Sequence, residues 1–414
     1  KSLVAYVVRQ DQNRETEQLK RVADWHSVWE GTYAKSGNSL QSRDNFSGWN
    51  SSYNGEPIPE GEMREWLDGT VSKILALNPS RVLEIGCGTG LVLFRIAPHC
   101  TAYCATDISK AALDQVRQTV DDLEFAFPQV TLFERSADDF TDLSNERFDT
   151  IVLNSIVQYF PDSNYLLRVL RGAIELAKPG GSIFIGDVRS LQLLEAFYAS
   201  VALHQASDAE SCADLLQRVK EAQASEQELA FAPEFFEHLK TTLSGISGVE
   251  ISLKKGWHLN EMTKFRYDVR LRVGTDEETS VRPDWIRWNE RPVTVEDTRT
   301  LLSNGGDDVI AIAGIPNKRL QSEFDSLELL KSTNPPPTIA ELRDSLSINE
   351  PRGLDPMEIW ELADEFQRPV VVRRSSMGAD RFDVVFGRRD ESENDLMLYL
   401  PAEPEEKGVI EFTN

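Results

Sequence analysis

Short apolar runs alternate with longer amphipathic segments between about residues 80 and 190. The apolar runs predict buried strands, and the segments between them have the spacing of helices. Because strands that alternate with helices form a mainly parallel sheet covered on both faces, the pattern predicts an α/β fold. The predicted strands are Arg81–Ile85, Thr101–Thr106, Val130–Glu134, Phe148–Leu153 and Ser182–Asp187. One helix is predicted to begin at about Leu91. Two more are predicted over Ser109–Leu123 and Tyr165–Ala177.

The segments before this alternation are rich in aromatic residues. Trp25, Trp29 and Tyr33 recur every four residues, which places them on one face of a helix between residues 14 and 40. That face either packs on the core or covers a substrate as a lid. A structured loop over 44–59 and a helix over Met63–Leu77 follow.

The segments after the alternation complete the sheet and add a second unit. Residues 191–243 are helical and polar, and we expect them to form part of the lid. Val249–Lys254 and Phe265–Val273 then predict two more strands, giving seven with the last one antiparallel. The predicted division is 1–60 for the amino-terminal segment, 61–275 for the core and 276–414 for a small α/β subdomain. This subdomain has predicted strands over 308–313, 369–373 and 382–386, and predicted helices over 295–302 and 356–366.

Composition narrows the possible partners. The net charge of −24 over 414 residues argues against binding to nucleic acid or to an anionic membrane. No apolar run of membrane-spanning length and no leader peptide is present, so we expect a cytoplasmic protein. His99, Cys100 and Cys104 lie close together, but they fall on a predicted turn and strand, so we predict no metal site.

A glycine-rich turn follows the first predicted strand, within the segment VLEIGCGTG. Glu84, Gly86, Gly88 and Gly90 form a Glu-x-Gly-x-Gly-x-Gly pattern. Glycines there allow a ligand to approach the backbone and the free N–H groups of a helix start. An acidic residue at Glu84 suits a cationic ligand and would repel a pyrophosphate.

Carboxylates after the next two strands specify the ligand further. Asp107 and the adjacent Ile108 follow the second strand, where a carboxylate can bind both ribose hydroxyls. Ala137 and Asp138, with Asp139 as an alternative to Asp138, follow the third strand within reach of an adenine amino group. Ribose, adenine and a cationic amino acid together describe S-adenosylmethionine, the predicted cofactor.

The methyl acceptor should lie at the same edge of the sheet. The fourth strand runs into NSIVQYF, whose Asn154 and Tyr159 are predicted to flank the sulfonium and the substrate. A neutral amine needs little help to attack a methyl group, whereas a hydroxyl needs a general base. His258, with Glu261 nearby, is the candidate base, although direct pairing of the two is not expected if the segment is a strand. His204 is a second histidine that could face the cleft.

Five segments resemble the methyltransferase domains embedded in nonribosomal peptide synthetases. The resemblance extends over nearly the whole chain, and the segments are Gly48–Pro59, Val82–Gly90, Asn154–Pro161, Asn260–Val269 and Gly314–Leu320. The resemblance implies a class I methyltransferase: a Rossmann-like seven-stranded sheet with a helical lid and a carboxyl-terminal α/β subdomain. In that family the domain interrupts an adenylation domain, and Leu3–Val8 resembles the adenylation-domain strand before the insertion. We therefore expect a domain cut from a larger chain and monomeric as such.

The same resemblance implies the substrate and the partners. The substrate would be an aminoacyl thioester on the phosphopantetheine of a peptidyl carrier protein, next to the parent adenylation domain. Backbone N-methylation is the usual outcome, and O-methylation with His258 as general base is the alternative. A non-catalytic scaffold is a third hypothesis, which the intact glycine turn disfavours.

Overall fold

The computed structural model describes most of the chain. It covers residues 14–35, 44–122, 127, 129–143, 146–274, 283–306, 308–350, 352–391, 396 and 412–414. The predicted strand Leu3–Val8 and nearly all of the charged break before residue 283 lie outside the described residues.

A seven-stranded sheet organises the first two thirds of the chain. Its strand order is β3-β2-β1-β4-β5-β7-β6. The strands are β1 (Arg81–Ile85), β2 (Ala102–Asp107), β3 (Val130–Glu134), β4 (Phe148–Asn154), β5 (Ala177–Arg189), β6 (Ile246–Leu253) and β7 (Arg266–Val273). Strands β1 to β5 pair in parallel, and β7 is antiparallel to both β5 and β6. The predicted α/β class and the antiparallel last strand are confirmed.

Helices cover both faces of this sheet. They are α1 (Arg14–Lys35), α2 (Glu60–Leu75), α3 (Leu93–Ile96), α4 (Lys110–Asp122), α5 (Ser163–Leu176), α6 (Leu194–Gln205), α7 (Cys212–Ala224), α8 (Pro233–Thr242) and α9 (Glu261–Phe265). Successive side chains of a strand point to opposite faces, so Val82 packs in one core cluster and Leu83 in the other. Both are fully buried, as a parallel sheet between two helical layers requires.

Two local predictions need correction. The helix expected from about Leu91 is only four residues long, because Pro98 falls in a 3-10 turn that ends it. The strand predicted from Phe265 begins at Arg266, because Phe265 is the last residue of the helix α9. The first turn of α9 is capped by Asn260, whose side chain accepts hydrogen bonds from two backbone N–H groups.

The carboxyl-terminal region forms a second, four-stranded sheet of order β10-β11-β9-β8. Its elements are β8 (Trp285–Arg287), α10 (Val295–Asn304), β9 (Ile310–Pro316), α11 (Gln321–Lys331), α12 (Ile339–Ser347), α13 (Pro356–Phe366), β10 (Val370–Arg374) and β11 (Arg381–Phe386). Sequence reasoning missed β8, α11 and α12. Leu327 of α11 and Leu342 of α12 share one hydrophobic cluster with Ala199 and Leu215. The carboxyl-terminal region therefore packs directly on the helices of the 191–243 segment, and the proposed domain division stays a prediction.

Candidate active site

The glycine turn after β1 adopts the conformation for which glycine is needed. Gly86, Gly88 and Gly90 all have positive φ, at 76°, 51° and 84°. A Cβ on Gly86 would lie 2.6 Å from Ile156 Cγ2, and one on Gly90 would lie 2.8 Å from the ring of Phe94. The turn thus brings the backbone close to the end of β4, with no room for a side chain.

Asp107, at the end of β2, braces this turn. One carboxylate oxygen accepts a hydrogen bond of 2.8 Å from the Gly88 N–H, and the other accepts one of 2.8 Å from the Ser109 N–H. Burial raises the pKa of Asp107, while the backbone donors oppose that rise. A carboxylate held by backbone amides has lone pairs left over for the hydroxyls of a sugar.

Glu84 lies beneath the turn and is 2% exposed. Its carboxyl accepts a hydrogen bond of 2.9 Å from the Tyr103 hydroxyl. Burial raises its pKa to about 8, because a lone carboxylate is poorly solvated there. A cation placed beside Glu84 would favour the ionised form, so the site is suited to a positively charged ligand.

The helix α1 covers the turn. Trp25, Trp29 and Tyr33 line the cavity above the glycines, on the face that their spacing predicted. Glu30 of the same helix accepts hydrogen bonds from the Ser109 hydroxyl, at 2.6 Å, and from the Ala111 N–H, at 3.1 Å. This contact fastens α1 to the first turn of α4.

These elements enclose a cavity of about 170 Å³. Eight of the predicted catalytic and cofactor-binding residues line it: Glu84, Gly86, Gly88, Asp107, Ile108, Ala137, Asn154 and Tyr159. Sequence reasoning gave no site role to several others that line it, among them His26, Trp49, Trp66 and Arg135. Trp49 falls within the segment Gly48–Pro59, which gave it no site role, and the other three lie outside the quoted segments. Only the tertiary structure brings these four residues next to the glycine turn.

Two predicted cofactor residues lie behind the wall of this cavity. Asp138 accepts hydrogen bonds from the Tyr165 hydroxyl, at 2.8 Å, and from the Ser136 hydroxyl, at 3.0 Å. Gly90 packs against Phe94 and does not reach the cavity surface. Both residues therefore shape the cavity from outside.

Asn154 offers an unused polar atom at the end of β4. Its Oδ1 is buried and has no hydrogen-bond partner among the described residues. The side chain fits only because residue 186 is glycine, since a Cβ there would lie 2.1 Å from Oδ1. An orphaned acceptor, a glycine cradle and buried carboxylates together fit a ligand with a sugar, an adenine and a cationic amino-acid end.

The structure does not join His258 to Glu261. The His258 ring Nδ1 lies 2.7 Å from a carboxylate oxygen of Glu65, and about half of its side chain is exposed. Neither His258 nor the exposed His204 lines this cavity or the one next to it. Glu261, by contrast, is buried and accepts hydrogen bonds from the N–H and the hydroxyl of Ser52, at 2.9 and 3.0 Å.

A second cavity of about 140 Å³ adjoins the first and shares Trp29, Trp49 and Tyr159 with it. Among the described residues, no histidine lines it. Its charged lining is formed by Arg189, Glu228, Glu261 and Arg266. Of these four, the sequence pointed to Glu261 alone, because the others come from two strand ends and a polar loop that no motif connects.

The charges around this second cavity are unbalanced. Arg189 contacts both Glu226 and Glu228, at 2.5 and 3.0 Å, and Arg266 contacts Asp187 at 2.6 Å. With Glu261, the cluster holds four carboxylates against three cations, the two guanidiniums and Lys254, whose Nζ lies 3.8 Å from Asp187. Burial raises the pKa of Glu228 despite the neighbouring arginine. The cavity therefore favours a cation and offers a carboxylate that readily takes up a proton.

The described residues contain neither a cluster of metal ligands nor a membrane-spanning helix. No group of three or more His, Cys, Asp or Glu side chains within them could hold a metal ion. None of the helices in the described part of the chain is long and apolar enough to cross a membrane.

Comparison with known proteins shows the family to which the chain belongs. Residues 83–183 match the family model of a methyltransferase domain. The chain is 41% identical to chondramide synthase cmdD of Chondromyces crocatus over 87% of its own length. It is 34% identical over 98% of its length to CymA of Salinispora arenicola, described as a probable non-canonical nonribosomal peptide synthetase. It spans only 9% and 5% of those two relatives. The solved N-methyltransferase NodS from Bradyrhizobium japonicum WM9 is 18% identical, with 51% of this chain and 97% of that chain covered and a TM-score of 0.33.

The fold and the cofactor cavity define a class I methyltransferase that uses S-adenosyl-L-methionine. More particularly, the chain belongs to the methyltransferase domains of nonribosomal peptide synthetases.

Proposed function

We propose that this domain methylates the α-nitrogen of an aminoacyl group that is tethered as a thioester to a peptidyl carrier protein. The observation that carries the proposal is the second cavity, where Glu228 and Glu261 face the space next to the cofactor cavity. A tethered aminoacyl group presents an α-ammonium, and carboxylates that line a cavity beside the cofactor are suited to bind it.

In this proposal one cavity binds the cofactor and the other binds the methyl acceptor. Glu84, Gly86, Gly88, Asp107, Ile108, Ala137 and Asn154 would hold the cofactor, which supplies an electrophilic methyl group on a sulfonium when bound. Glu261, fixed by Ser52, would bind the ammonium, and the shared aromatic side chains would stabilise its charge. Glu228 would accept the proton that the ammonium must lose before the nitrogen can attack.

The surrounding segments support this arrangement. Arg319, from the carboxyl-terminal region, is buried and donates hydrogen bonds to the carbonyl oxygens of Lys254 and Gly256, at 3.2 and 2.6 Å. These contacts fix the segment that leads into α9 and hence the position of Glu261. We propose that the region after 276 serves this structural role, and that the parent adenylation domain and the carrier protein deliver the substrate in the cytoplasm.

A carrier loaded with serine tests the choice of atom, because serine offers both an amine and a hydroxyl. We expect mass spectrometry to place the new methyl on the α-nitrogen, and the N-acetylseryl carrier to remain unmethylated. A methyl on the serine oxygen in either case would contradict the proposal.

Glu261→Gln tests the role of the carboxylate, since glutamine keeps the shape and can still accept a bond from Ser52. We expect turnover to fall by about 10- to 100-fold, the range of a charge-assisted contact of 1.5–3 kcal/mol. The matched control is Glu323→Gln. Glu323 is about as buried as Glu261 and pairs with Lys264, which belongs to the same helix α9 as Glu261, but Glu323 lines neither cavity. Equal losses in the two variants would remove the evidence for amine binding by Glu261.

A further inference from the structure

Asp187, near the end of β5, connects the two cavities. It is fully buried and has a positive φ of 66°, a conformation that residues other than glycine rarely adopt. Its carboxylate accepts three hydrogen bonds: from Trp66 Nε1 at 3.1 Å, from the Ser155 hydroxyl at 2.9 Å and from Arg266 Nη1 at 2.6 Å. A buried carboxylate with this many donors is fixed in position.

The three donors serve different cavities. Trp66 and Ser155 line the cofactor cavity, whereas Arg266 lines the second one. The backbone around Asp187 is irregular, because the pairing of β5 with β7 shifts register between Ile185 and Val188. The Asp187 N–H donates a hydrogen bond to the Asp268 carboxylate at 2.8 Å, so this irregular part of β5 is anchored to β7.

Arg266 has other carboxylates within electrostatic reach. Burial lowers the pKa of Arg266, but the attraction of Asp187, Glu261 and Glu228 outweighs burial, and the pKa is raised. Asp187 is the one to which Arg266 donates its hydrogen bond. Without the charge of Asp187, the guanidinium would be drawn to Glu228 and Glu261 and would take the place of a substrate cation.

We propose that Asp187 is a positioning residue for the methyl acceptor: by holding Arg266, it leaves Glu228 and Glu261 facing the cavity for the acceptor amine. This proposal rests on the function proposed above for the second cavity. It assigns Asp187 no contact with the substrate. Its effect passes through Arg266.

Asp187→Asn tests the proposal because asparagine keeps the volume and can still accept the Trp66 hydrogen bond. The probe is an analogue of alanyl-pantetheine in which an amide replaces the thioester. It has a free α-amine and cannot lose its acyl group. Its binding is measured by calorimetry on the domain saturated with S-adenosylhomocysteine. We expect Kd to rise at least 10-fold in Asp187→Asn, and to return to within about three-fold of the wild-type value in the double variant Asp187→Asn with Arg266→Met.

The rescue separates positioning from stability. Asp383→Asn is the control for loss of a buried carboxylate, because Asp383 is 4% exposed, accepts the Gly314 N–H and lies in the other sheet. We expect it to lower the melting temperature without changing Kd for the probe. A Kd in Asp187→Asn equal to the wild-type value would overturn the proposal, and so would a raised Kd that the double variant does not restore.

Failure of the proposed function has a different signature. A wild-type domain that binds the N-acetylated probe as tightly as the free amine would show that the cavity does not select a cation. That outcome contradicts amine binding by Glu228 and Glu261, and the role of Asp187 falls with it. If the wild type binds the free amine more tightly than the N-acetylated probe, but Asp187→Asn has the wild-type Kd, only the role of Asp187 is contradicted.

Discussion

The two cavities of this domain are built in opposite ways. The cofactor cavity is made from the ends of consecutive parallel strands, so Glu84, Gly86 and Asp107 follow one another closely along the chain. The second cavity draws Glu228 from a polar loop, Glu261 from α9 and Arg266 from the antiparallel strand β7. The first is a local product of the sheet, and the second depends on how remote elements pack.

This difference determines what a mutation does. In the cofactor cavity the glycine turn leaves no room for a side chain, so steric changes there should have the largest effects. In the second cavity the binding groups are side-chain charges held by other side chains. There, removal of a charge should matter more than removal of volume.

Gly86→Val should have the largest effect, because it fills the cofactor cavity and strains its backbone at once. A Cβ at Gly86 would lie 2.6 Å from Ile156 Cγ2, and valine is strongly disfavoured at a φ of 76°. We expect affinity for S-adenosylmethionine to fall by more than about 100-fold, as a loss of about 3 kcal/mol implies. Calorimetric titration measures it.

Gly55→Val is the matched control for that experiment. Gly55 also has a φ of 76°, but no atom lies within 4 Å of its Cβ position and it lines neither cavity. It should lower the melting temperature while leaving cofactor affinity unchanged. Similar losses of affinity in the two variants would mean that backbone strain alone, and not crowding of the cavity, weakens binding.

Asp107→Ala should have the next largest effect on cofactor affinity. It removes the acceptor of the Gly88 and Ser109 N–H groups as well as the predicted partner of the ribose. Loss of buried hydrogen-bond partners costs about 1–3 kcal/mol, so we expect affinity to fall about 10- to 100-fold. Asp107→Asn, which keeps one acceptor oxygen, should lose less. A larger loss in the asparagine variant would show that the brace on the turn is not what matters.

The sequence predicted the cofactor cavity far better than the second one, for a physical reason. In a parallel sheet, the loops after neighbouring strands meet at one edge, so a motif such as the glycine turn and the later Asp107 can be combined without knowing the tertiary structure. Glu228 and Arg266 lie 38 residues apart in the chain and share no periodic pattern. Only the packing of α6 to α9 on the sheet brings them together, and long-range packing of that kind leaves no local signal.

The same limit explains the prediction of His258 as a base. His258 and Glu261 are three residues apart, and this proximity in the chain made His258 the candidate base, with direct pairing not expected if the segment were a strand. In the structure Glu261 is the first residue of α9 and lines the second cavity, while His258 is hydrogen-bonded to Glu65 of α2. Asn154 and Tyr159 were easier to place, since they follow β4 directly at the edge where the cofactor cavity opens.

Glu84→Gln tests whether the cofactor cavity is neutral until a cation arrives. The pKa of Glu84 is about 8 in the folded protein against 4.5 for an ordinary glutamic acid, so only the folded state keeps this proton between these values. Raising the pH from 5 to 8 should therefore lower the unfolding free energy of the wild type relative to Glu84→Gln by about 1 kcal/mol per pH unit. Denaturant unfolding at several pH values measures this difference.

Cofactor binding should depend on pH in the opposite sense, with the wild type favoured over Glu84→Gln at the higher pH. Cofactor affinity of the wild type should exceed that of Glu84→Gln by about 10-fold at pH 8, where ionised Glu84 meets a cation, and by less at pH 6. A constant ratio of the two affinities across this range would show that Glu84 does not change its charge when the cofactor binds.

His258→Ala should have the smallest effect, and it decides between the two kinds of acceptor. The side chain is half exposed, bonded to Glu65 and outside both cavities, so truncation should change turnover on an aminoacyl carrier by less than about two-fold. If an oxygen were the acceptor and His258 its base, the loss would be about 100-fold or more. Glu65→Gln provides the control, because it releases the histidine without removing it. A large loss in His258→Ala with normal turnover in Glu65→Gln would mean that the imidazole itself acts in catalysis, and the carboxylates of the second cavity would no longer account for the reaction.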